Sequence, residues 1–360
     1  MVGIRDDLRE LLIRLSLAGM PNEELIELYG HLTEDEGQMT FLEGENIPQK
    51  LRERTTVFLD RDISKRQKVI DAQCIQILVV GDDFYPEKLA LTPDPPMVIY
   101  AIGNLELMAK PSLSVVGARK HTDYGQRVCK KFVSQLAYSG LVIISGLALG
   151  IDKLAHQATL DAGGETIAVL GNGIGDCYPK SNRACYEAIK STGLILSEYP
   201  PFTSPQPFRF PERNRIIAAL GDGVLVVEAK EKSGSLITAR LAAEYGREVF
   251  AVCGNVDSIY SQGTNRLIFD GASIALSPED ILNHPVYQMN EKKSLPNLSD
   301  LTFLTLEEKT LYDSIVDGHQ NTETLMDHVG WDITHVLSVL TMLELKNMIT
   351  GVDSDCIEIL

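Results

Sequence analysis

The sequence lacks the features of a secreted or membrane protein. Its 360 residues contain no apolar run of the roughly 18 residues that a membrane span needs. It begins MVGIRDDLRE, which is charged and lacks the apolar core of a signal peptide. We therefore expect a cytoplasmic protein with no membrane partner.

Cysteine is scarce, and its spacing fits no metal site. No C-x-x-C pair occurs, and no cysteine has a histidine at zinc spacing. We expect no metal, and we expect reduced thiols at all six positions, which are Cys74, Cys129, Cys177, Cys185, Cys253 and Cys356.

Positive charge is also in short supply, with 33 Lys and Arg against 50 Asp and Glu and a formal net charge of −17. This balance argues against a nucleic-acid partner, because phosphate binding needs cations. The charge is unevenly spread, however. Residues 110–230 carry 14 basic and 10 acidic side chains, whereas residues 300–360 carry 2 basic and 12 acidic ones. An anionic ligand therefore suits the middle of the chain.

The first two segments are predicted to be a helical domain and a connector. Residues 1–72 show leucines near helical spacing and no strand pattern, with Gly19 and Pro21 ending the first helix. Their 15 acidic and 10 basic residues favour a packing or protein-contact role over DNA binding. Residues 73–109 are rich in proline, which predicts an extended, ordered strap leading into the next domain.

Residues 110–287 alternate short apolar strands with helical stretches. This pattern predicts a doubly wound α/β domain, an extended Rossmann-like core with a parallel sheet buried on both faces. The candidate strands are 113–117, 141–146, 166–170, 194–198, 223–229 and 248–254.

A polar linker, 288–300, leads to a last segment, 301–360. Its pattern of three helices followed by two short strands predicts a winged-helix domain. A DNA-reading winged helix normally carries Arg or Lys on its third helix, and here that helix has only Lys346. We therefore favour a protein-interaction module over a DNA reader.

Polar and glycine residues follow the predicted strands, where ligands of open α/β sheets bind. After the first strand, Gly117 permits a tight turn and Arg119 can give a forked bond to phosphate. The alternative is that Gly117 only closes the strand and Arg119 points to solvent. After the second strand, Ser145 and Gly146 form a small turn that allows close approach to an anion.

Asp152 and His156 lie four residues apart on the helix after the second strand. Such a pair is either catalytic or a helix-stabilising contact. We favour the structural interpretation, because no nucleophile is partnered with it.

The third predicted strand leads into a glycine-rich loop and the residues Lys180, Asn182 and Arg183. Lys180 and Arg183 stand at the start of a helix, where cations oppose the helix dipole. That placement indicates an external anion.

The fourth strand leads into a basic and aromatic cluster. Arginines interleaved with rings suit single-stranded nucleic acid, because charges follow phosphates and rings stack on bases. The alternative is that the phenylalanines are core residues and the arginines pair with Glu212 and Glu228. The cluster consists of Phe208, Arg209, Phe210, Arg213, Asn214 and Arg215.

Lys232 and Ser235 precede the helix after the fifth strand and again present a cation and N–H groups. The loop is not a P-loop, because the chain has no G-x-x-x-x-G-K-[ST]. No loop carries a carboxylate pair, a metal cluster or a Ser/His/Asp order. The sequence thus predicts an anion cradle without a catalytic centre and without a cofactor.

Six motifs follow one another along the chain: SVVGARK, SGLALGID, GGETIAVLGNGIGDCYPKSN, FPERNRIIAAL, KSGSLITARLAAEYGREVFAVCG and GTNRLI. This is their order in the DprA/Smf family, which the sequence closely resembles over residues 80–284. The resemblance extends to an N-terminal helical, SAM-like domain and a winged-helix tail. It implies a non-enzymatic protein that binds single-stranded DNA, protects incoming DNA in natural transformation and loads RecA onto it. It also implies a homodimer formed through the Rossmann domains.

The family's phosphate-binding positions carry over, by this resemblance, to Arg119, Lys180, Arg213 and Arg215. Some members have a lysine just before the FPxRNR motif, where this chain has SPQPFRF. Either Arg209 takes that place or the contact is absent. The family's Thr or Ser at the GxR turn is Ala118 here.

Two enzyme classes are the alternatives. Related nucleotide hydrolases carry P-G-G-x-G-T followed by a catalytic Glu, and the corresponding turn here, Lys232-Ser233-Gly234-Ser235-Leu236, lacks that Glu. A dinucleotide-binding oxidoreductase needs G-x-G-x-x-G after the first strand, and GARKHTDYG does not match it.

Overall fold

A computed structural model describes residues 4–33, 47–291, 305–316, 319, 321–345, 349–350 and 357–359. The chain divides into two compact units, Met1–Val286 and Tyr287–Leu360. None of the described helices is long and apolar enough to cross a membrane.

Four helices open the first unit: α1 (Asp6–Ala18), α2 (Asn22–Thr33), α3 (Gln49–Leu59) and α4 (Ser64–Ala72). Leu8, Leu12 and Leu15 recur at helical spacing on α1 and are buried. The helix ends at Gly19, whose φ of 88° gives the left-handed backbone common at helix ends. The helix and its end agree with the sequence prediction.

A nine-stranded sheet runs through the described part of the first unit, in the order β1-β2-β6-β5-β4-β3-β7-β8-β9. From β6 to β9 along this order the strands pair in parallel, whereas β1 and β2 are antiparallel additions at one edge. The strands are β1 (Gln76–Val79), β2 (Val98–Gly103), β3 (Ser112–Val116), β4 (Val142–Ser145), β5 (Thr166–Leu170), β6 (Leu194–Ser197), β7 (Gly223–Val226), β8 (Glu248–Val252) and β9 (Ser273–Ala275).

Helices alternate with these strands, as a doubly wound α/β fold requires. Every residue of β3, β4, β5, β6 and β7 is buried, so both faces of the central sheet are covered. The helices are α5 (Glu87–Ala90), α6 (Asp123–Tyr138), α7 (Ile151–Asp161), α8 (Arg183–Thr192), α9 (Arg209–Leu220), α10 (Gly234–Glu244), α11 (Gln262–Phe269) and α12 (Pro278–Leu282). The next helix, α13 (Pro285–Glu291), contains the boundary between the two units.

The N-terminal helices and the sheet share one hydrophobic core. Leu12 and Leu15 lie in the same buried cluster as Tyr100 of β2 and Ile195 of β6. The hydroxyls of Ser16 and Tyr100 are 2.7 Å apart in a buried hydrogen bond. The first four helices are therefore built into the core of the first unit.

The segment predicted to be a strap contributes β1 and β2 to the sheet. Its prolines fall between these two strands, where no ladder N–H is needed, and so do not interrupt them. Predicted strand 166–170 matches β5, whereas the other five predicted strands run too long at their C-terminal ends. After β7, for example, the N–H of Ala229 donates to the Tyr260 carbonyl at 2.9 Å, outside the sheet. The strand ends are misplaced because apolar residues continue in the sequence past the residue at which the backbone stops pairing with the neighbouring strand.

The second unit contains α14 (Leu306–Val316), α15 (Thr322–Val329), α16 (Ile333–Leu345), β10 (Ile349–Thr350) and β11 (Glu358–Ile359). The two strands pair antiparallel, and a core that includes Leu311, Leu325 and Leu340 joins the helices. The elements follow in the expected order, and the winged-helix assignment stays a prediction. Lys346, Cys356 and most of the predicted linker lie outside the described residues.

Candidate nucleic-acid interface

The spatial order of the parallel strands reverses between β3 and β7, and a cleft opens where these strands end. Ligands of open α/β sheets bind at such a point. The cleft holds about 500 Å³ between the turn after β3, the first turns of α9 and the loop from β7 to α10. Seven predicted site residues line it, namely Gly117, Arg119, Phe210, Arg213, Asn214, Lys232 and Ser235.

Four exposed cations line the cleft: Arg119, Lys120, Lys230 and Lys232. None of them forms an ion pair with any residue that the structure describes. Asp152 is the one carboxylate in the described lining, and it is buried. The described lining of the cleft therefore carries a net positive charge although the whole chain is acidic.

Aromatic rings lie between these cations. The Arg119 guanidinium is 5.4 Å from the Phe210 ring centroid, and Lys230 Nζ is 4.7 Å from that of Tyr260. Phe210 in turn lies 5.8 Å, centroid to centroid, from the half-exposed Tyr178. Charge and ring faces thus alternate across the surface of the cleft.

The N-terminus of α10 also opens on the cleft. The hydroxyl of Ser233 accepts the N–H of Ser235 at 3.4 Å and caps the helix. One turn further on, Thr238 Oγ1 lines the cleft and is buried without a hydrogen-bond partner among the described residues. This helix end offers N–H groups and hydroxyls to an anion that Lys232 attracts.

Gly117 is required by packing rather than by a ligand. A Cβ at this position would lie 2.7 Å from Cγ1 of Ile151 at the start of α7. The interpretation that Gly117 only closes the strand therefore accounts for the glycine. Arg119, two residues later, does line the cleft.

Arg213 lies beneath the cleft and is only 3% exposed. Its Nη1 donates to the Gly146 carbonyl at 2.7 Å and to the Val169 carbonyl, which ties α9 to the ends of β4 and β5. Burial lowers the pKa of Arg213 to about 10, and the nearby Asp152 carboxylate opposes that shift. The residue supports the loops of the cleft rather than facing a phosphate.

Ser145 and Asn182 are also buried, and their side chains satisfy the backbone. Ser145 Oγ donates to the Val115 carbonyl at 2.7 Å. Asn182 Nδ2 donates to the carbonyls of Leu147 and Ala148, at 2.9 and 3.2 Å. Both residues shape the strand ends without reaching the cleft.

Arg215 faces away from the cleft. Its Nε lies 2.9 Å from Asp94 Oδ2, and its Nη2 pairs with Glu198. The alternative partners from the sequence, Glu212 and Glu228, are engaged elsewhere: Glu212 accepts the Tyr199 hydroxyl and Glu228 accepts the Thr122 N–H. The two arginines of PERNR thus occupy different environments.

Lys180, Arg183 and Arg209 lie outside the cleft lining. Lys180 is exposed, two residues after Tyr178, whereas Arg183 is 3.4 Å from Glu187 in an exposed pair. The Arg209 guanidinium lies 5.1 Å from the Tyr199 ring and 5.3 Å from that of Phe208. Lys180 and Arg209 are therefore the two that can extend a binding surface beyond the cleft.

Asp152 and His156 do not form an accessible pair. His156 is fully buried, its Nδ1 is 2.7 Å from Thr166 Oγ1, and burial lowers its pKa to about 3. Burial raises the pKa of Asp152, although Arg213 and backbone N–H groups oppose the shift. Their burial favours a structural role, but His156 bonds Thr166, and no side-chain hydrogen bond between His156 and Asp152 is found among the described residues.

Comparison with known proteins identifies the family. The model of the family described as DNA recombination-mediator protein A matches residues 76–285. This chain belongs to that family. The resemblance to DprA/Smf proteins is thereby confirmed, and the cleft between β3 and β7 lies within the matched region.

DprA and Smf proteins of several bacteria are similar to the chain. It is 39% identical to DNA processing protein DprA of Streptococcus pneumoniae over 274 residues, which is 75% of this chain and 95% of that protein. It is 37% identical to protein Smf of Escherichia coli over 281 residues, or 77% and 75% of the two chains.

Solved DprA structures share the α/β fold. The X-ray structure of S. pneumoniae DprA aligns with a TM-score of 0.67 at 35% identity and covers 79% of this chain and 99% of that one. DprA of Helicobacter pylori aligns with a TM-score of 0.54 at 30% identity, covering 61% and 96%. The latter structure is described as giving insight into a single-stranded DNA binding mode.

Several residues of the cleft and its rim escaped the sequence prediction, among them Lys120, Tyr178, Lys230 and Tyr260. Lys120 and Lys230 each follow a strand by four residues, and this shared spacing is a signal in the sequence that marks them. The contact of Tyr178 with Phe210 joins a loop to the first turn of α9, 32 residues later, and nothing local in the sequence signals it.

Proposed function

We propose that the chain binds single-stranded DNA in the cleft between β3 and β7 without preference for base sequence. The observation that carries this proposal is a set of four cations around the half-buried rings of Phe210 and Tyr260, none of them in an ion pair with a described residue: Arg119, Lys120, Lys230 and Lys232. Cations follow the phosphates, and rings stack on any base.

The aromatic rings favour a single strand over a duplex. Phe210 and Tyr178 can stack only on bases whose faces are free, and a duplex hides those faces. The described single-stranded DNA binding mode of H. pylori DprA supports the same choice.

The buried polar residues are assigned a positioning role. Arg213, Ser145 and Asn182 saturate carbonyls at the ends of the parallel strands and so fix the loops that carry the cations. We propose that Arg119, Phe210, Lys232 and Ser235 contact DNA directly.

We further propose that the bound strand is protected and passed to the RecA recombinase, as the family resemblance implies. A homodimer through the α/β domain is supported by the edge strand β9, because three exposed apolar residues lie on it or within four residues of it in the chain and would form its contact patch: Phe269, Ile274 and Leu276. The second unit is proposed to be a winged-helix, protein-interacting module, because residues 300–360 are strongly acidic.

A nucleotide-hydrolysing enzyme is the rival function, since the cleft lies where α/β enzymes bind nucleotides. The burial of His156 argues against it, because an imidazole with no exposed surface cannot reach a substrate in the cleft as general acid or base.

Equilibrium binding tests the proposal. Labelled dT30 and a 30-base-pair duplex are titrated with the full chain by fluorescence anisotropy at several salt concentrations, in parallel with a nucleotide-hydrolysis assay. We expect tighter, salt-sensitive binding of the single strand and no turnover. Equal affinity for both DNAs, or no binding at low salt, would overturn the proposal.

A further inference from the structure

A second concavity, which we call the aromatic groove, lies in the first unit. It holds about 730 Å³ between the α1–α2 connection and the segment from β6 to α9, and Arg66 of α4 also lines it. It shares no lining residue with the cleft. Phe202, Phe208, Arg209 and Arg215 are among its lining residues.

The start of α9 connects the two concavities. Phe210 and Pro211 line the cleft, whereas Phe208 and Arg209 line the groove. The Arg209 guanidinium lies close to the rings of both Phe208 and Tyr199. Consecutive residues thus carry aromatic and cationic surface from the cleft directly into the groove.

The segment 199–204, which forms one wall of the groove, is firmly held. The N–H groups of Gly173 and Ile174 donate to the carbonyls of Thr203 and Tyr199, at 2.8 and 3.0 Å. Arg66 Nε donates to the Pro201 carbonyl at 3.1 Å. The wall is therefore an ordered platform, partly fixed by an N-terminal helix.

Phe202 is presented by this platform in an unusual way. Its φ is 65°, a left-handed conformation that bulky residues rarely adopt, and its side chain is 67% exposed. Phe208 is 57% exposed. Strained backbone of this kind concentrates at functional sites, and here it holds an aromatic ring out to solvent.

The charges of the groove differ from those of the cleft. Its four arginines are matched by four carboxylates, and Arg215 pairs with both Asp94 and Glu198. Arg215 is itself buried and held by these two carboxylates, so it offers little free charge to a phosphate. The groove therefore suits the stacking of bases rather than the attraction of phosphates.

We propose that single-stranded DNA leaving the cleft crosses the start of α9 and stacks bases on Phe208 and Phe202 in the aromatic groove. This inference rests on the proposed function of the cleft and adds a second base-binding site, walled by the N-terminal helices. Continuity with the cleft through Phe208, Arg209 and Phe210 favours DNA over a protein segment as the occupant.

Oligonucleotides of two lengths test the proposal. Fluorescence anisotropy compares dT6, short enough for the cleft alone, with dT20, using the wild-type chain and a Phe202→Asn/Phe208→Ala variant. Asn tolerates the left-handed backbone at position 202. Tyr138→Ala is the matched control, because Tyr138 is an exposed aromatic outside both linings.

We expect the double variant to bind dT6 like the wild type and dT20 about 10-fold or more weakly, with an unchanged salt dependence. An unchanged dT20 affinity would overturn the proposal. It is the result expected if a protein segment, rather than DNA, occupies the groove. An equal loss at both lengths would also overturn it, because the rings would then act within the cleft. If the wild type bound neither length, the function of the cleft itself would fail.

Discussion

The Arg213 guanidinium fills the space that a side chain on Gly146 would need. Arg213 Nη1 donates to the Gly146 carbonyl at 2.7 Å, and a Cβ on Gly146 would lie 2.5 Å from that same nitrogen. The pair joins the end of β4 to α9, which carries Phe210 into the cleft. Gly146 was predicted to allow the close approach of an anion, and it is instead contacted by a cation of the chain itself, Arg213.

The substitution Gly146→Ala should destabilise the chain by about 1–3 kcal/mol, because the added methyl group displaces a guanidinium that has no room to move. Urea unfolding measures the change. Gly30→Ala is the control: a Cβ there meets nothing within 4 Å, so stability should stay the same or rise slightly. Equal effects of the two substitutions would contradict the packing argument.

Removing a cation from the cleft should weaken DNA binding and its salt dependence together. For Arg119→Ala and for Lys232→Ala we expect the slope of log affinity against log salt to fall by about 0.7 per lost phosphate contact. Lys68→Ala removes an exposed lysine of α4, outside the cleft, and should leave affinity and slope unchanged. A wild-type slope in Arg119→Ala would mean that this residue touches no phosphate.

His156 should make the chain sensitive to mild acid. Burial lowers its pKa from 6.5 to about 3, so below pH 6.5 the unfolded chain binds a proton that the folded chain refuses. The contribution of His156 to the free energy of unfolding is complete above pH 6.5. It falls by up to about 1.4 kcal/mol per pH unit as the pH drops toward 3. Urea midpoints from pH 7.5 to 5 should therefore fall less steeply in His156→Gln. Parallel curves would assign the acid sensitivity to other groups.

Deletion of residues 301–360 should leave affinity for single-stranded DNA largely intact. The deleted segment belongs to a separate compact unit and is strongly acidic, so it adds no attraction for phosphate. Anisotropy titration of dT30 with the shortened chain provides the measurement. A loss of 10-fold or more would show that the tail contacts DNA.

The patch beside β9 should carry the proposed homodimer. Phe269→Asp combined with Leu276→Asp puts charge into an exposed apolar surface at a sheet edge, and we expect monomers in light scattering after size exclusion. Val57→Asp, in an exposed apolar residue of α3, is the matched control and should leave the mass unchanged. A monomeric wild type would refute the dimer.

The central strands could be predicted because they are buried on both faces and so are apolar throughout. The same signal was present in Val98–Gly103 of β2, but the prolines before it favoured a strap. A proline excludes only its own residue from the hydrogen-bonded ladder, and here the prolines lie between β1 and β2. Pairing with a distant strand, β6, cannot be deduced from such local patterns.

The candidate site was predictable in its position but not in the role of each residue. Arg119 and Lys232 line the cleft as expected, whereas Arg213, Ser145 and Asn182 point inward. The ends of buried parallel strands leave carbonyls that need donors, so polar residues there serve the backbone as often as a ligand. Only the tertiary packing shows whether such a residue bonds the backbone or is free to bind a ligand.

The hydrogen bond between Ser16 and Tyr100, within the core that Leu12 helps to form, has a consequence for how the chain unfolds. Helices and sheet that share a core lose their stability together, so the first 72 residues and the sheet should melt in a single cooperative step. A chain cut at residue 73 would expose Tyr100 and its apolar neighbours to water. A variant that lacks the four helices would therefore also need substitutions on the face of β2 that packs against them.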